Sequence, residues 1–126
     1  MKILVLVYPG MTLQDVVGPV QAWSFLPGHE IQLVWKEPGR VATDCGISVQ
    51  ATHGFADAWN DPDVLLVGGG AKPTMDLLGD AAVLAFLAER GATSAFLEGL
   101  GSEAGRYAGF SLLLGDTTAL HYYSNR

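Results

Sequence analysis

The sequence predicts an α/β fold in which an open, mostly parallel sheet lies between layers of helices. Residues 2–8 and 63–67 are almost continuously aliphatic, which is typical of parallel strands that are covered on both faces. Segments with helical spacing follow these strands, and the alternation of strands and helices defines the fold class. The chain has 126 residues and no linker-like stretch. We therefore expect residues 1–126 to form a single domain.

The remaining elements each have a local signal. Three segments have helical spacing: residues 12–25, 81–90 and 102–114. Residues 31–35 and 93–97 predict two further strands, and residues 41–51 predict a hairpin with Asp44, Cys45 and Gly46 at its turn. Because parallel strands end at the same edge of a sheet, the turns that follow them should open on one side.

The composition excludes several classes of partner. Only 16% of the residues are charged, the formal net charge is −6, and Lys and Arg form no run, so we expect no binding to nucleic acid or anionic membranes. The apolar N-terminal stretch is shorter than a secretion signal, and no run is long enough to span a membrane. The single cysteine fits a reducing cytoplasm. The low proportion of charge predicts a homodimer that covers part of the surface.

Several short motifs follow one another in a specific order. They lie at residues 7–19, 33–39, 49–57 and 63–70. In content and order they resemble the isocyanide hydratase branch of the PfpI/ThiJ superfamily. The resemblance implies a flavodoxin-like, class I glutamine amidotransferase-like fold that is truncated at the C-terminus, because relatives continue past Arg126. Glu103, Arg106 and Tyr107 in the last predicted helix favour a naturally short chain, since they suit a face without its covering layer.

The resemblance also concerns the nucleophile. It places the catalytic cysteine of the family on Gly101 and the threonine that follows it on Ser102, and it therefore implies that the covalent nucleophile is absent. Ser102 is a poor substitute because a hydroxyl needs an adjacent base, and no histidine lies near it in the sequence. Cys45, in the predicted hairpin turn, is interpreted as an incidental thiol.

Asp15 is the leading candidate for chemistry. In the resemblance, the acidic residue of the first turn orients a water molecule or hydrogen-bonds the nucleophile. Thr12 and Asp15 also form a capping-box pattern, in which the acid would satisfy backbone amides at the start of a helix. Gly18 and Pro19 place a helix breaker inside the predicted helix, at a cost of roughly 3 kcal/mol. This cost favours a shaped site over a simple cap.

The glycine turn at residues 68–70 adds candidate binding groups. Gly69 and Gly70 would let backbone amides approach a ligand, and in the family the matching glycines help to form an oxyanion pocket with the amide at Ser102. The alternative is a tight turn that requires positive φ. The spacing of these glycines does not match a phosphate loop, and the glycines after residue 98 do not match a dinucleotide fingerprint. We therefore expect no cofactor.

Glu98 is the candidate for a second acid because it ends an apolar strand. Glu103 is explained more simply by an ion pair with Arg106 near a helix start. The three histidines lack metal-ligand spacing, so no metal site is expected.

Three functional hypotheses follow. The first is noncovalent acid–base catalysis of the lyase or isomerase type on a largely apolar small molecule, by hydration, elimination, isomerisation or cyclisation, with Asp15 and Glu98 as acids. The second is a catalytically inactive pseudoenzyme that binds a metabolite or a protein partner. The third is an isocyanide hydratase that acts through Ser102 or a water molecule activated by Asp15.

Overall fold

The computed structural model describes residues 1–90 and the backbone of residues 111–115 and 120–124. In this part of the chain the elements are β1 (Lys2–Leu6), α1 (Leu13–Trp23), β2 (Glu30–Val34), β3 (Gly39–Ala42), β4 (Ser48–Ala51), β5 (Val64–Val67), α2 (Lys72–Leu77), α3 (Ala81–Arg90), β6 (Ser111–Gly115) and β7 (Leu120–Ser124). None of the helices described here is both long and apolar enough to cross a membrane.

β1 lies at the centre of a parallel sheet whose described order is β2-β1-β5. Leu6 is opposite Val34 on one side and Val67 on the other. A strand with two parallel neighbours and helices against the sheet is removed from water, and residues 3–6 are accordingly 0% exposed. The sheet confirms the predicted α/β class and places the ends of β1 and β5 side by side.

A row of aromatic side chains extends the core from β1 to α3. The ring centroids of Tyr8 and Trp35 are 6.4 Å apart, those of Trp35 and Phe55 are 5.9 Å apart, and Phe55 stacks on Phe86 at 4.1 Å. The guanidinium of Arg90 lies 4.1 Å from the centroid of Phe86. The row joins the ends of β1, β2 and α3 by contacts between large, rigid side chains.

The predicted hairpin is confirmed and packs against the turn after β1. β3 and β4 pair in antiparallel register with Val41 opposite Val49. Gly10 N–H donates to the carbonyl of Ala42 at 2.9 Å, and Asp44 N–H donates to the carbonyl of Met11 at 3.0 Å. The hairpin turn is thereby held next to the start of α1.

Two elements differ from the sequence-based expectation. α2 was not predicted, because it has only six residues and Pro73 stands near its start. The helix predicted over residues 102–114 is wrong at its end, where Ser111–Gly115 forms β6 and pairs antiparallel with β7. A short run of leucines is compatible with the residue spacing of a helix and with that of a strand. Pairing with a distant segment decides between the two structures. The strand predicted at residues 93–97 and the start of that helix lie outside the described residues.

Asp80 begins α3 and links it to the turn after β2. Its Oδ1 accepts hydrogen bonds from Ala82 N–H at 3.1 Å and Val83 N–H at 3.3 Å, and its other oxygen pairs with Lys36. The hydrogen bond from Lys36 holds the pKa of Asp80 below its usual value, helped by the two amides. A depressed folded-state pKa means that this contribution is present above the unfolded-state pKa and is lost as the pH falls through the folded-state pKa.

We expect Asp80→Ala to lower the free energy of unfolding by about 1 kcal/mol at pH 7, because the helix loses its N-cap. Asp80→Asn retains the cap but not the ion pair, so its deficit relative to the unmodified protein should shrink below about pH 4. Urea unfolding at pH 7 and pH 3 measures both effects. A deficit for Asp80→Asn that does not change with pH would contradict the assigned role of Lys36.

Candidate functional site

Two turns meet at the carboxyl ends of β1 and β5. Thr12 N–H donates to the carbonyl of Gly69 at 2.8 Å. Gly69 N–H donates in return to Asp15 Oδ2 at 3.1 Å. This reciprocal pair joins the start of α1 to the glycine turn, so the structure brings Asp15 and Gly69, both expected from the sequence, into direct contact.

The carboxylate of Asp15 does not act as a helix cap. Thr12 is the N-cap residue of α1, but its side chain makes no capping hydrogen bond. Leu13 N–H instead donates to Asp44 Oδ1 of the hairpin turn at 3.2 Å. The capping-box alternative is therefore wrong: a distant acid satisfies the helix start, and Asp15 connects two turns.

α1 continues through Pro19 to Trp23, so the predicted helix breaker does not end the helix. Proline has no N–H, and the N–H missing at Pro19 is the one that would bond to the carbonyl of Asp15, four residues earlier. The helix therefore lacks one backbone hydrogen bond at Asp15, the residue that carries the candidate carboxylate.

Close approach, not positive φ, explains the glycine turn. Among the glycines of the described part of the chain, positive φ occurs at Gly10, Gly28, Gly39 and Gly46, but at none of residues 68–70. A Cβ on Gly69 would lie 2.5 Å from Asp15 Oδ2, and a Cβ on Gly68 would lie 2.7 Å from Val16 Cγ2. The positive-φ alternative is therefore wrong, and the glycines are needed because α1 packs directly on the turn.

Ala71, which follows the glycine turn, has a strained backbone with φ 48° and ψ −120°. We expect Ala71→Gly to stabilise the fold by about 1 kcal/mol, because only glycine adopts this conformation without a steric penalty. The same change in mid-helix, Ala85→Gly in α3, should destabilise it by about 1 kcal/mol. Thermal unfolding of the two variants measures the opposite signs, and destabilisation by both would refute the strain at Ala71.

A pair of hydroxyl groups, from the buried Tyr8 and the partly buried Thr74, lies beneath the glycine turn. Tyr8 OH donates to the carbonyl of Gly68 at 2.6 Å and lies 2.7 Å from Thr74 Oγ1. Since the single proton of Tyr8 is used by Gly68, Thr74 donates to the tyrosine oxygen. Burial raises the pKa of Tyr8, the hydrogen bond from Thr74 lowers it, and the nearby charge of Asp15 raises it. The hydroxyl group therefore stays protonated as a donor to the turn.

Sequence reasoning did not identify Tyr8 or Thr74. The signal was present: a tyrosine that ends a buried aliphatic strand needs a hydrogen-bond partner for its hydroxyl group. The identity of that partner depends on how β5 and α2 pack, which no local pattern specifies.

An open depression of about 320 Å³ lies between the start of α1 and the hairpin turn. Its walls are formed by Thr12, Leu13, Gln14, Val17, Asp44 and Cys45. Cys45 is exposed, and it contacts this depression rather than the glycine turn. In the described part of the chain, no three His, Cys, Asp or Glu side chains are grouped closely enough to hold a metal ion.

Of the other site residues expected from the sequence, the structure describes only Gly70. Gly70 lies above the hydroxyl pair, because a Cβ there would be 3.2 Å from both Tyr8 OH and Thr74 Oγ1. Glu98, Gly101 and Ser102 lie outside the described residues, as do Glu103 and Arg106.

The parallel sheet, with an acid in its first turn and a glycine turn beside it, defines an α/β protein with a candidate site at the carboxyl ends of its strands. No protein-family model matches the chain. A ThiJ/PfpI family protein from Pseudomonas syringae has a similar crystal structure, with a TM-score of 0.69 and 40% identity over 71% of this chain and 37% of that one. The chain belongs to the PfpI/ThiJ superfamily.

Two further proteins are similar. The isonitrile hydratase of Pseudomonas putida is 27% identical over 119 residues, which are 93% of this chain and 50% of the hydratase. Oxidised DJ-1 from Toxoplasma gondii has a TM-score of 0.52 and 17% identity, over 81% of this chain and 50% of DJ-1, and it shows the shared fold. The chain thus spans half or less of the length of these relatives.

Proposed function

We propose that the chain binds a small, largely apolar molecule beside the glycine turn and carries out noncovalent acid–base chemistry on it, with the Asp15 carboxylate as general acid or base. The observation that carries the proposal is the hydrogen bond from Gly69 N–H to Asp15 Oδ2 at 3.1 Å. It fixes one carboxylate oxygen from the backbone of a different turn. The side chain is nevertheless exposed, so the second oxygen is available to a ligand.

A fixed but accessible carboxylate suits proton transfer. A general acid or base must lie within hydrogen-bond reach of the proton that it moves, and an anchored oxygen limits the directions in which the other can point. Among the described residues, no acceptor engages Gly70 N–H, whereas Gly69 N–H is used by Asp15. The amide of Gly70 is thus a donor of this turn that could stabilise negative charge on a substrate.

The position of the only thiol supports a noncovalent route. The chain has one cysteine, and Cys45 lies in the hairpin turn, 3.5 Å from Thr43 Oγ1. The similarity to isonitrile hydratase supports hydration as the first reaction to examine. In that reaction the isocyanide carbon gains the oxygen and one hydrogen of water, the nitrogen gains the other hydrogen, and an N-substituted formamide is produced.

The test is formamide production from an aryl isocyanide by the unmodified protein and by Asp15→Asn, Gly101→Cys and Asp76→Asn. Asp76 is a matched control, because its carboxylate pairs only with the exposed Lys72 on α2 in the described structure. We expect turnover to fall by about 10²- to 10⁴-fold in Asp15→Asn, which is the usual loss for a general acid or base, and to be unchanged in Asp76→Asn.

Equal turnover by the unmodified protein and Asp15→Asn would remove Asp15 from the chemistry. Turnover by Gly101→Cys alone would show that hydration on this scaffold requires a thiolate, and it would overturn isocyanide hydration as the reaction of this chain. If the isocyanide shifts the amide resonances of Gly69 and Gly70 but no variant yields product, the chain binds without turnover and the catalytic proposal fails.

A further inference from the structure

We infer that Tyr8 is a positioning residue that sets the direction of the Asp15 carboxylate through the peptide unit between Gly68 and Gly69. The inference rests on the proposed function for its catalytic consequence. Its structural part concerns the Tyr8 hydroxyl group, the peptide unit between Gly68 and Gly69, and the Asp15 carboxylate. The coupling of these three groups can be measured without a substrate.

The two hydrogen bonds of this peptide unit carry the inference. The carbonyl of Gly68 and the N–H of Gly69 belong to one planar trans unit, so they point in opposite directions and rotate together. Tyr8 OH donates to that carbonyl at 2.6 Å, and the N–H donates to Asp15 Oδ2 at 3.1 Å. A group that fixes the carbonyl therefore also fixes the direction in which the N–H meets the carboxylate.

A glycine turn needs such a constraint. Consecutive glycines have no Cβ to restrict their dihedral angles, so the peptide units between them can rotate at little steric cost. Tyr8 is 0% exposed, and its hydroxyl group is held in place by Thr74 on α2 at 2.7 Å. The orientation of the peptide unit is thus set from the core of the protein.

The hydrogen bonds also reinforce one another. Donation to the carbonyl of Gly68 polarises the peptide unit and makes the N–H of Gly69 a stronger donor to a carboxylate. Tyr8 itself contacts the backbone and Thr74 rather than the carboxylate oxygens. Its hydrogen-bonded connection to Asp15 runs through the turn.

The test uses Tyr8→Phe in ¹⁵N-labelled protein. We expect the Gly69 amide proton to exchange with solvent on the order of tenfold faster, the effect of weakening one hydrogen bond, and its resonance to move upfield. Thr43→Val is the matched control, because it removes a part-buried hydroxyl group that donates to the carbonyl of Ile47 in the hairpin. It should lower stability without changing the Gly69 signal.

Thr74→Val provides a second variant that keeps the tyrosine in place, and it should shift the Gly69 resonance in the same direction by a smaller amount. Asp15→Asn should alter the same signal, and the effects of Tyr8→Phe and Asp15→Asn should be non-additive in the double variant. An unchanged Gly69 amide in Tyr8→Phe, an equal change in Thr43→Val, or strict additivity would overturn the inference.

Turnover separates this inference from the proposed function. If both are right, Tyr8→Phe lowers kcat more than it raises KM, because the carboxylate is misdirected in the transition state. If Asp15→Asn leaves turnover unchanged, the proposed function fails, while the Gly69 amide still decides whether Tyr8 positions the carboxylate.

Discussion

Replacement of Arg90 by methionine is expected to lower the free energy of unfolding by about 3 kcal/mol or more. The Arg90 side chain is only 4% exposed. Its Nε donates to the carbonyl of Trp59 at 2.7 Å, and its Nη2 donates to Asn60 Oδ1 at 2.7 Å. Methionine keeps much of the aliphatic volume but leaves the part-buried carbonyls of Trp59, Phe55 and Ala58 without this donor. Each buried unsatisfied group costs about 1–3 kcal/mol.

The stacking of Arg90 on Phe86 would be lost as well. Arg90→Lys should show an intermediate loss, because a single ammonium group cannot donate in both directions that the guanidinium serves. Lys72→Met is the matched control: Lys72 is 83% exposed, and a surface ion pair contributes about 1 kcal/mol at most. Urea unfolding measures all three variants. A loss below about 1 kcal/mol for Arg90→Met would show that water replaces the guanidinium.

The second prediction is that alanine has different effects on stability and turnover at two adjacent glycines, Gly68 and Gly69. Gly69→Ala should abolish the contact with Asp15, because the added Cβ would lie 2.5 Å from Oδ2 and the carboxylate would have to rotate away. The carboxylate is the end of an exposed side chain, so we expect a stability loss of only about 1 kcal/mol. Turnover should fall by about 10²-fold or more, approaching that of Asp15→Asn.

Gly68→Ala should have the opposite effects: a larger loss of stability and a smaller loss of turnover than Gly69→Ala. Its Cβ would lie 2.7 Å from Val16 Cγ2, and Val16 is a stiff β-branched residue that is 1% exposed. Overpacking of this kind costs about 1–3 kcal/mol. Thermal unfolding and turnover of the two variants together check the prediction. If Gly69→Ala were as destabilised as Gly68→Ala and kept its activity, the turn would serve packing alone.

Much of the fold could be predicted because its elements have strong local patterns. β1 and β5 are aliphatic runs whose burial requires parallel neighbours, and the hairpin has turn residues at its centre. The sequence was ambiguous where local patterns are weak. The leucines of β6 fit a helix or a strand, and only pairing with β7 decides between them.

The candidate site was predicted in part for a similar reason. Asp15 and the glycines could be found because each follows a strand at the same edge of the sheet. The contact between Asp15 and Gly69 could not, since a capping box predicts a different partner for the same carboxylate. The buried position of Arg90 could not be predicted either. An arginine in the last turn of a helix usually interacts with the helix dipole and solvent, whereas here it enters the core.

The hydrogen bond between Gly69 and Asp15 joins residues that are 54 positions apart in the sequence, and the pairing of β1 with β5 brings them together. Closing a loop of this length is entropically costly and comes slowly in folding. Residues 1–51 contain the first turn, α1 and the hairpin, but they lack the amide that anchors the carboxylate. The site is therefore a product of the completed sheet, and its appearance during refolding would report the moment at which β5 docks beside β1.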